Sequence, residues 1–497
     1  MTLTTGTDII FGSGVGVLSA MAGTTPVATT LSDGRIALAW AEIAYPGDFP
    51  VLDYNVYTRI LNVDGTPATD AQLVTAGPAN THSEPQITAL ADGGYAVSWI
   101  TTMQGTVENS DRTVYIYDGY ARTFSAAGTP EGAPILISQD LPGYDPANYN
   151  SILQSEIQQT NVLSLAGGGA IVIYAYRADQ TWARSISSDG QPVSDPVRIS
   201  DNNLFSTSAT QLSNGDVVIA DYQGQLGGVV LRISAPDLAG APAGVAGATA
   251  PVMVTHSAPE GYEFPPVLAA LPNGGFAMAY LFNPSLAARD DEVLRVDRFD
   301  AAGQVAGSTD IPVPDNSVFG VPSMAVLSDG RVMLAWTTNT ASSNTDVMGV
   351  LMNADGSIDG SPQMLNVNTS GLQILGGLTL LGDTGAFLAL TDASGVLIGG
   401  RADNMHGQFI GLPAAPPPVP VNLAGTDEND SLIGTAANDR LDGRGGGDRI
   451  EGRDGADTLN GGTGDDFIYG GASSADLRDV IYGGDGNDSL DGGYGND

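Results

Sequence analysis

The segment GGTGDDFIYGGASSADLRDVIYGGDGNDSLD, residues 461–491, decides the fold of the C-terminal part of the chain. It contains two closely similar nine-residue units, 461–469 and 483–491, separated by one unit that is lengthened to thirteen residues. Eight units of this kind follow one another, and they begin at Gly425, Gly434, Gly443, Gly452, Gly461, Gly470, Gly483 and Gly492. A fixed period over eight units predicts a stack of short coils rather than a flexible linker rich in glycine and aspartate.

Two further positions in each unit carry the pattern. The sixth residue is aspartate in the nine-residue frames, and Asp479 takes that place in the long unit when it is counted back from the next strand. The eighth residue is a branched aliphatic in every unit that reaches it, namely Leu432, Leu441, Ile450, Leu459, Ile468, Ile481 and Leu490. Glycine allows tight turns with positive φ, so each unit is predicted to turn and then form a short strand with one apolar side chain directed inward.

The aspartates are predicted to form two ladders. If two units make one coil, one edge carries Asp430, Asp448, Asp466 and Asp488, and the other carries Asp439, Asp457, Asp479 and Asp497. Calcium takes six to eight hard oxygen ligands, which carboxylates and exposed backbone carbonyls supply. The predicted ligands of several Ca²⁺ ions are Asp430, Asp439, Asp448, Asp457, Gly461, Gly462, Gly464, Asp466, Gly470, Gly471, Asp479, Gly483, Gly484, Gly486, Asp488 and Asp497.

The charge of this region predicts that its folding depends on the metal. Residues 422–497 carry 17 acidic and five basic residues. One buried aliphatic per unit cannot offset both the repulsion in the ladders and the loss of chain entropy. We therefore expect residues 422–497 to be largely disordered without calcium and to fold as calcium binds.

The first four units depart from the pattern. Thr426 and Thr435 stand where the second glycine belongs in units one and two, and Arg444 and Arg453 take that position in units three and four. The early turns are therefore expected to bind metal weakly or to serve as a cap. The last unit stops at Asp497, in mid-repeat, so we expect the natural protein to continue beyond this sequence.

Composition excludes several classes of protein. The net charge of −38 is far from that of a nucleic-acid-binding protein, which needs basic patches. The chain has no cysteine and no lysine, so disulfides, thiol chemistry and lysine Schiff bases are excluded. No apolar run approaches the roughly 20 residues needed for a transmembrane helix. The N-terminus lacks the basic and apolar regions of an ordinary secretory signal.

A second repeat, with a longer period, fills the first 411 residues. A leucine, a turn with glycine and a strand that ends near an aromatic residue recur seven times, at 31–40, 90–99, 165–174, 212–221, 271–280, 327–336 and 381–390. Asp-Gly or Asn-Gly between apolar runs is a strong hairpin signal. A second strand pair follows each copy, as in VYTRILNVDGTP (56–67) and WARSISSDGQP (182–192).

Four strands per unit, repeated seven times, predict a seven-bladed β-propeller. The chain is thus predicted to be all-β, with the propeller at 1–411, a proline-rich linker at 412–421 and a parallel β-roll at 422–497. The alternative, a string of β-sandwiches, is disfavoured because the unit is shorter than a sandwich domain. The strand around Asp8–Phe11 is expected to close the ring as the outer strand of the last blade. Trp40, Trp99, Tyr174, Tyr280 and Trp336 are expected to pack between blades.

Both regions resemble one family. The nonapeptides resemble the RTX (repeats-in-toxin, hemolysin-type) calcium-binding β-roll, and the LxDGGxxVxW unit resembles repeats of large secreted bacterial RTX and surface proteins. The resemblance implies export by type I secretion machinery and folding outside the cell or at the bacterial surface, where calcium is abundant.

The sequence announces no catalytic site. The three histidines, His82, His256 and His406, lie outside any HExxH motif, and no G-x-S-x-G elbow is present. The leading hypothesis is therefore a secreted calcium-binding protein whose propeller is a binding or adhesion module for an extracellular glycan or surface component. The tyrosine-rich loops at 41–54 and 140–159 and the acidic run 290–292 are the candidate binding segments.

Two alternatives stay open. One is a secreted propeller hydrolase or lyase that acts on extracellular polysaccharide, which carboxylates clustered at one mouth of the central channel would favour. The other is a calcium-dependent component of a surface layer or biofilm matrix, which calcium-driven assembly would favour.

Overall fold

The computed structural model divides the chain into two compact units, Met1–Pro413 and Ala414–Asp497. It describes residues 3–15, 25–43, 54–75, 81–106, 113–139, 157–165, 168–176, 180–193, 195–200, 207–222, 228–233, 252–254, 266–282, 293–313, 318–341, 344–358, 360–367, 369, 371–397, 400–413, 420–471 and 476–495. The predicted linker, 412–421, therefore lies partly outside the described residues. No helix among these residues has the length and apolar character that crossing a membrane requires.

The first unit consists of four-stranded antiparallel sheets. Six of the described sheets are each formed by four consecutive strands. They are β2 Val27–Thr30, β3 Ile36–Ile43, β4 Tyr54–Leu61 and β5 Gln72–Leu73; β6 Thr81–Ala89, β7 Tyr95–Thr106, β8 Thr113–Phe124 and β9 Pro130–Leu136; β10 Ile157–Ser164, β11 Ala170–Tyr176, β12 Gln180–Ile186 and β13 Val197–Ser200; β14 Thr207–Gln211, β15 Val217–Tyr222, β16 Gly228–Ile233 and β17 Val252–Val254; β18 Val267–Ala270, β19 Phe276–Phe282, β20 Val293–Phe299 and β21 Val305–Pro312; and β22 Val318–Val326, β23 Val332–Ala341, β24 Asn344–Met352 and β25 Gln363–Met364.

The remaining sheet of this unit joins the two ends of the repeat region. It contains β26 Gln373–Leu380, β27 Gly385–Leu397 and β28 Gly400–Gly411, and its outer strand is β1 Thr4–Val15, which pairs antiparallel with β28. The first strands of successive sheets contact one another in turn, and β26 contacts β2, so the ring is closed. The predictions of a propeller and of ring closure by the N-terminal strand are confirmed.

The recurring turn explains why each sheet begins in the same way. In the first copy the amide of Gly34 donates to the carbonyl of Leu31 at 2.9 Å, and Leu31 donates to the carbonyl of Arg35 at 2.8 Å. Gly34 has a φ of +85°, which glycine adopts without strain. This turn connects the innermost strand, β2, to β3 and sends the apolar run into the space between sheets.

Apolar side chains fill the spaces between neighbouring sheets. Trp40 packs with Phe387 of the ring-closing sheet, and Trp99 packs with residues of the sheet before it. Tyr174, Tyr280 and Trp336 lie in further clusters that each join two adjacent sheets, and all five aromatic side chains are buried. The prediction that they form the inter-blade core is confirmed.

The second unit is a parallel β-roll. Its strands are β29 Asn422–Ala424, β30 Ser431–Ile433, β31 Arg440–Asp442, β32 Arg449–Glu451, β33 Thr458–Thr463, β34 Phe467–Gly471, β35 Val480–Asp485 and β36 Ser489–Gly493. They form two parallel sheets, with the order β29-β31-β33-β35 in one and β30-β32-β34-β36 in the other. Alternate units thus lie on opposite sides, which confirms the predicted β-roll.

The core of the roll is one column of aliphatic side chains. Leu441, Ile450, Leu459 and Ile468 are fully buried, whereas Leu432 and Ile481 are only partly buried. Leu490 was also predicted to point inward, but it is 50 % exposed because a neighbouring coil covers it on one side only among the described residues.

Candidate metal centre

The structure brings the predicted aspartates together in two ladders. On one edge the backbone N–H of Asp430 donates to Oδ1 of Asp448 at 2.8 Å, and the same bond links Asp448 to Asp466 at 2.8 Å and Asp466 to Asp488 at 3.1 Å. The carboxylates of Asp448, Asp466 and Asp488 are therefore each hydrogen-bonded to the backbone of the preceding coil.

The opposite edge repeats this arrangement. The N–H of Asp439 donates to Oδ1 of Asp457 at 2.7 Å, and that of Asp457 donates to Oδ1 of Asp479 at 2.8 Å. The assignment of Asp479 to the sixth position of the long unit is thus confirmed. Asp497, the last predicted member of this edge, lies outside the described residues.

The second carboxylate oxygen has a different environment in the middle of the roll. Asp448, Asp457 and Asp466 are 2 %, 1 % and 3 % exposed, and among the described residues Oδ2 of each is buried without a hydrogen-bond partner. Leaving a buried charged oxygen unsatisfied costs more than leaving a neutral one. A bound cation removes that cost, so this observation fits the metal that the sequence predicts.

The glycine at the first position of a unit faces the second carboxylate oxygen of the aspartate in that unit. A Cβ on Gly443 would overlap Oδ2 of Asp448 and the carbonyl oxygen of Gly461 in the next coil. Gly461 stands in the same relation to Asp466 and to the carbonyl of Gly483. Glycine is therefore required at this position, and one carboxylate oxygen and one backbone carbonyl oxygen converge beside it.

The glycines at the second and fourth positions direct further carbonyls along the stack. Gly462, Gly464, Gly484 and Gly486 have φ values of +109°, +126°, +106° and +144°. A Cβ on Gly484 would overlap the carbonyl oxygen of Gly462, and a Cβ on Gly486 would overlap that of Gly464. The remaining predicted residues, Gly470 and Gly471, occupy the first and second positions of the long unit, where Gly470 faces Oδ2 of Asp479.

Backbone carbonyls would have to supply most ligands. Among the described residues, no three carboxylate or imidazole side chains converge on one point in a way that could hold a metal. A Ca²⁺ ion needs six to eight oxygens, and the arrangement offers them as carbonyls of the first, second and fourth positions with a small number of carboxylates.

The electrostatics of the ladders favour an added positive charge. Burial raises the pKa of Asp457 to about 6, and the neighbouring charges of Asp479, Asp439 and Asp476 also act to raise it. Burial likewise raises the pKa of Asp466, with added repulsion from Asp448 and Asp488. Both shifts show that the ionised carboxylates are destabilised where they stand.

Asp476 was missed by the sequence analysis. It belongs to the extra residues of the thirteen-residue unit, is 7 % exposed, and its carboxylate lies where a Cβ of Gly471 would be. The only signal in the sequence was that the long unit contains two aspartates, Asp476 and Asp479, where the other units place one at the sixth position.

The described residues include only part of the candidate sites of the propeller. His82 is buried and hydrogen-bonds through Nδ1 to the hydroxyl of Thr101 at 2.8 Å. The acidic run 290–292, His256, and most of the loops at 41–54 and 140–159 lie outside the described residues. On the innermost strands, the described residues include one carboxylate, Glu84.

Comparison with solved structures finds similar backbones for the propeller. A protein of unknown function from Dyadobacter fermentans is 11 % identical over 83 % of this chain and 99 % of that chain, with a TM-score of 0.44. A mutant of the NanB sialidase from Streptococcus pneumoniae is 12 % identical over 82 % and 70 %, with a TM-score of 0.43. An ulvan lyase is 10 % identical over 80 % and 96 %, with a TM-score of 0.48. Similarity at this level concerns the fold alone.

The family comparison concerns the roll. No curated protein matches the chain. The family model of the RTX calcium-binding nonapeptide repeat matches residues 424–459, 443–474 and 475–497. These segments contain both aspartate ladders and the glycine turns beside them. Residues 424–497 are therefore RTX calcium-binding nonapeptide repeats.

Proposed function

We propose that residues 422–497 bind several Ca²⁺ ions between successive coils and that the roll folds when they bind. The observation that carries this proposal is the set of buried carboxylate oxygens of Asp448, Asp457 and Asp466, each without a hydrogen-bond partner among the described residues. Bound calcium would neutralise the ladders and be held by these carboxylates together with glycine carbonyls such as those of Gly461 and Gly483.

Folding is coupled to binding in this proposal because the roll has little else to stabilise it. Its core is a column of single aliphatic side chains, of which four are fully buried. Its ladders place like charges in the interior, where their repulsion is weakly screened. A chain that must be ordered against these costs stays unfolded until a ligand that binds only the folded form is present.

Amide hydrogen exchange on the full-length protein tests the proposal. We expect peptides within 422–495 to exchange rapidly in EGTA and slowly in millimolar Ca²⁺, while peptides of the propeller change little. Asp457→Asn and Asp466→Asn remove a charge but keep an oxygen that can accept the ladder hydrogen bond, so each should raise the calcium concentration needed for protection.

Asp485→Asn is the matched control, since this carboxylate lies in the same roll but is exposed. It makes the same change in net charge and should leave the calcium midpoint nearly unchanged. Equal protection with and without calcium in the unaltered protein would contradict the proposal.

For the whole chain we propose a protein that is exported by type I secretion and matures outside the cell, with the propeller as a binding or adhesion module. The calcium-binding repeats support this reading, since calcium is scarce in the cytosol and abundant outside. The hydrolase or lyase hypothesis calls for carboxylates clustered at one mouth of the channel, and the described innermost strands supply only Glu84.

Two experiments address this part. A glycan array probed with the calcium-loaded protein is expected to show selective binding, and absence of binding to any glycan would remove the glycan-adhesion hypothesis. Accumulation in the medium that stops when the host's type I exporter is disabled tests the proposed route.

A further inference from the structure

The turns of the first two units differ from the later ones at the second position. In unit one the backbone N–H of Thr426 donates to Oδ2 of Asp430 at 2.5 Å, and its hydroxyl donates to the same oxygen at 3.0 Å. In unit two, Thr435 makes the corresponding bonds to Oδ2 of Asp439, at 2.5 and 3.0 Å. In Asp448, Asp457 and Asp466 the corresponding Oδ2 atom has no hydrogen-bond partner in the part of the chain that the structure describes.

Each threonine also closes its turn on the other side. The hydroxyl of Thr426 accepts the N–H of Glu428 at 3.2 Å, and that of Thr435 accepts the N–H of Ala437 at 3.1 Å. In unit four, by contrast, the residue at the second position is Arg453, whose φ is +81° and whose N–H donates to the carbonyl of Gly470 in the next coil. At the second position, the backbone N–H of each threonine thus donates to the aspartate of its own unit, whereas the N–H of Arg453 donates to a carbonyl of the next coil.

Asp439 and Asp457 make the contrast direct, since they are neighbours in one ladder and are 3 % and 1 % exposed. Oδ1 of both accepts a backbone N–H from the preceding turn, from Val421 at 2.7 Å and from Asp439 at 2.7 Å. Oδ2 of Asp439 is satisfied by Thr435, whereas Oδ2 of Asp457 has no partner among the described residues. The two side chains are thus equally buried, and they differ in whether Oδ2 has a protein donor or requires a cation.

The positions for an ion beside the first glycines can be compared along the roll. In six units, a Cβ on this glycine would meet an aspartate Oδ2 of the same unit and a carbonyl oxygen of the next coil; the glycines are Gly425, Gly434, Gly443, Gly452, Gly461 and Gly470. Threonine donors fill the first two of these positions.

We propose that Thr426 and Thr435 take the place of calcium, so that the first coil is a metal-independent cap and ions bind only from the third unit onward. This rests on the proposed calcium-dependent function and specifies how the sites are distributed. The hydroxyl and amide donors stabilise Oδ2 of the half-buried Asp430 and of the buried Asp439 as a cation would, so neither Oδ2 is left for a metal.

Native mass spectrometry of the full-length protein, titrated with Ca²⁺, counts the bound ions and tests this distribution. Asp430→Asn should leave the count unchanged, whereas Asp457→Asn should lose one ion. Thr426→Gly introduces the residue found at this position in units five to eight. It removes the hydroxyl donor from Oδ2 of Asp430 and permits the positive φ at which the N–H of Arg453 is directed to the next coil, so it should gain one ion.

Loss of an ion in Asp430→Asn, or no gain in Thr426→Gly, would overturn the inference. Hydrogen exchange of residues 440–495 in the same samples shows that the rest of the roll is folded. If the unaltered protein binds no calcium at all, the proposed function itself fails, and this outcome differs from a wrong distribution of sites.

Discussion

Replacing Gly464 by alanine is expected to separate the fifth unit from the third. The φ of Gly464 is +126°, and backbone strain of this kind costs a residue other than glycine about 1–3 kcal/mol. A Cβ would in addition overlap the carbonyl oxygen of Gly446 in the coil below, and relieving such an overlap requires a backbone shift that costs about 1–3 kcal/mol. We therefore expect the folded roll to lose about 3 kcal/mol or more.

The loss appears as a higher calcium requirement. If about four ions bind together with folding, about 3 kcal/mol raises the midpoint calcium concentration about three- to fourfold. The assay is tryptic cleavage of the full-length protein across a calcium titration, because this lysine-free chain is cut only after arginine and the roll contains Arg449 and Arg478.

Gly445→Ala is the matched control in this experiment. Gly445 lies one residue before the glycine that Gly464 covers, its φ is not positive, and the nearest atom to a new Cβ is the hydroxyl oxygen of Thr463 at 3.1 Å. We expect its midpoint to move less than about 1.5-fold. Equal shifts for the two variants would refute the stacking argument, since both remove one glycine.

Three further outcomes are expected. Arg453 has a φ of +81°, which costs a residue with a side chain about 1–2 kcal/mol. Arg453→Gly should therefore lower the calcium midpoint in the same cleavage assay, and a higher midpoint would contradict this. Burial raises the pKa of Glu84 to about 7. The buried carboxylate therefore does not destabilise the propeller below about pH 4.5, and stability is lost as the pH rises through 7. Glu84→Gln should stabilise the propeller against urea by about 1–3 kcal/mol at pH 8 but not at pH 4, with tryptophan fluorescence as the measurement. Burial acts to lower the pKa of His406, but Asp8 and Asp392 raise it overall, and Oδ1 of Asp8 lies 3.0 Å from Nδ1 of His406. The stabilisation by protonated His406 is therefore complete below its pKa in the unfolded chain and is lost as the pH rises through its pKa in the folded protein. Asp8→Asn should lower the melting temperature more at pH 5.5 than at pH 8.5.

Much of the architecture could be predicted because both repeats encode it locally. The spacing of nine residues placed Asp430, Asp448 and Asp466 on one edge, and the structure links them by hydrogen bonds between coils. The recurring turn before each apolar run predicted the blades. The strand around Asp8–Phe11 belongs to none of the seven units and was predicted to complete the last sheet, where it pairs with β28.

The finer features of the roll depend on geometry that a repeat pattern does not contain. Thr426 was recognised as a departure from glycine, but only the turn conformation shows that its hydroxyl reaches Asp430. Asp476 lay in the unit whose length breaks the period, so no frame position assigned it a neighbour, and the structure places its carboxylate against Gly471. The contacts of Thr426 and Asp476 thus arise in units that depart from the repeat, where the regular pattern predicts no contact.

The hydrogen bonds of the ladders give the roll a direction. From Asp448 onward, each ladder aspartate among the described residues is oriented by the backbone N–H of the aspartate one coil earlier, as Asp457 is by Asp439, so a folded coil positions the carboxylate of the next one. The first coil can provide this N–H without calcium if its own carboxylates are satisfied by threonine. In this proposal Asp448, Asp457 and Asp466 of the later coils need a cation for their second oxygen, while the aliphatic side chains extend the buried column. Because every new coil rests on the ordered backbone of the one before it, we expect binding at successive sites to be cooperative and to proceed from the capped end.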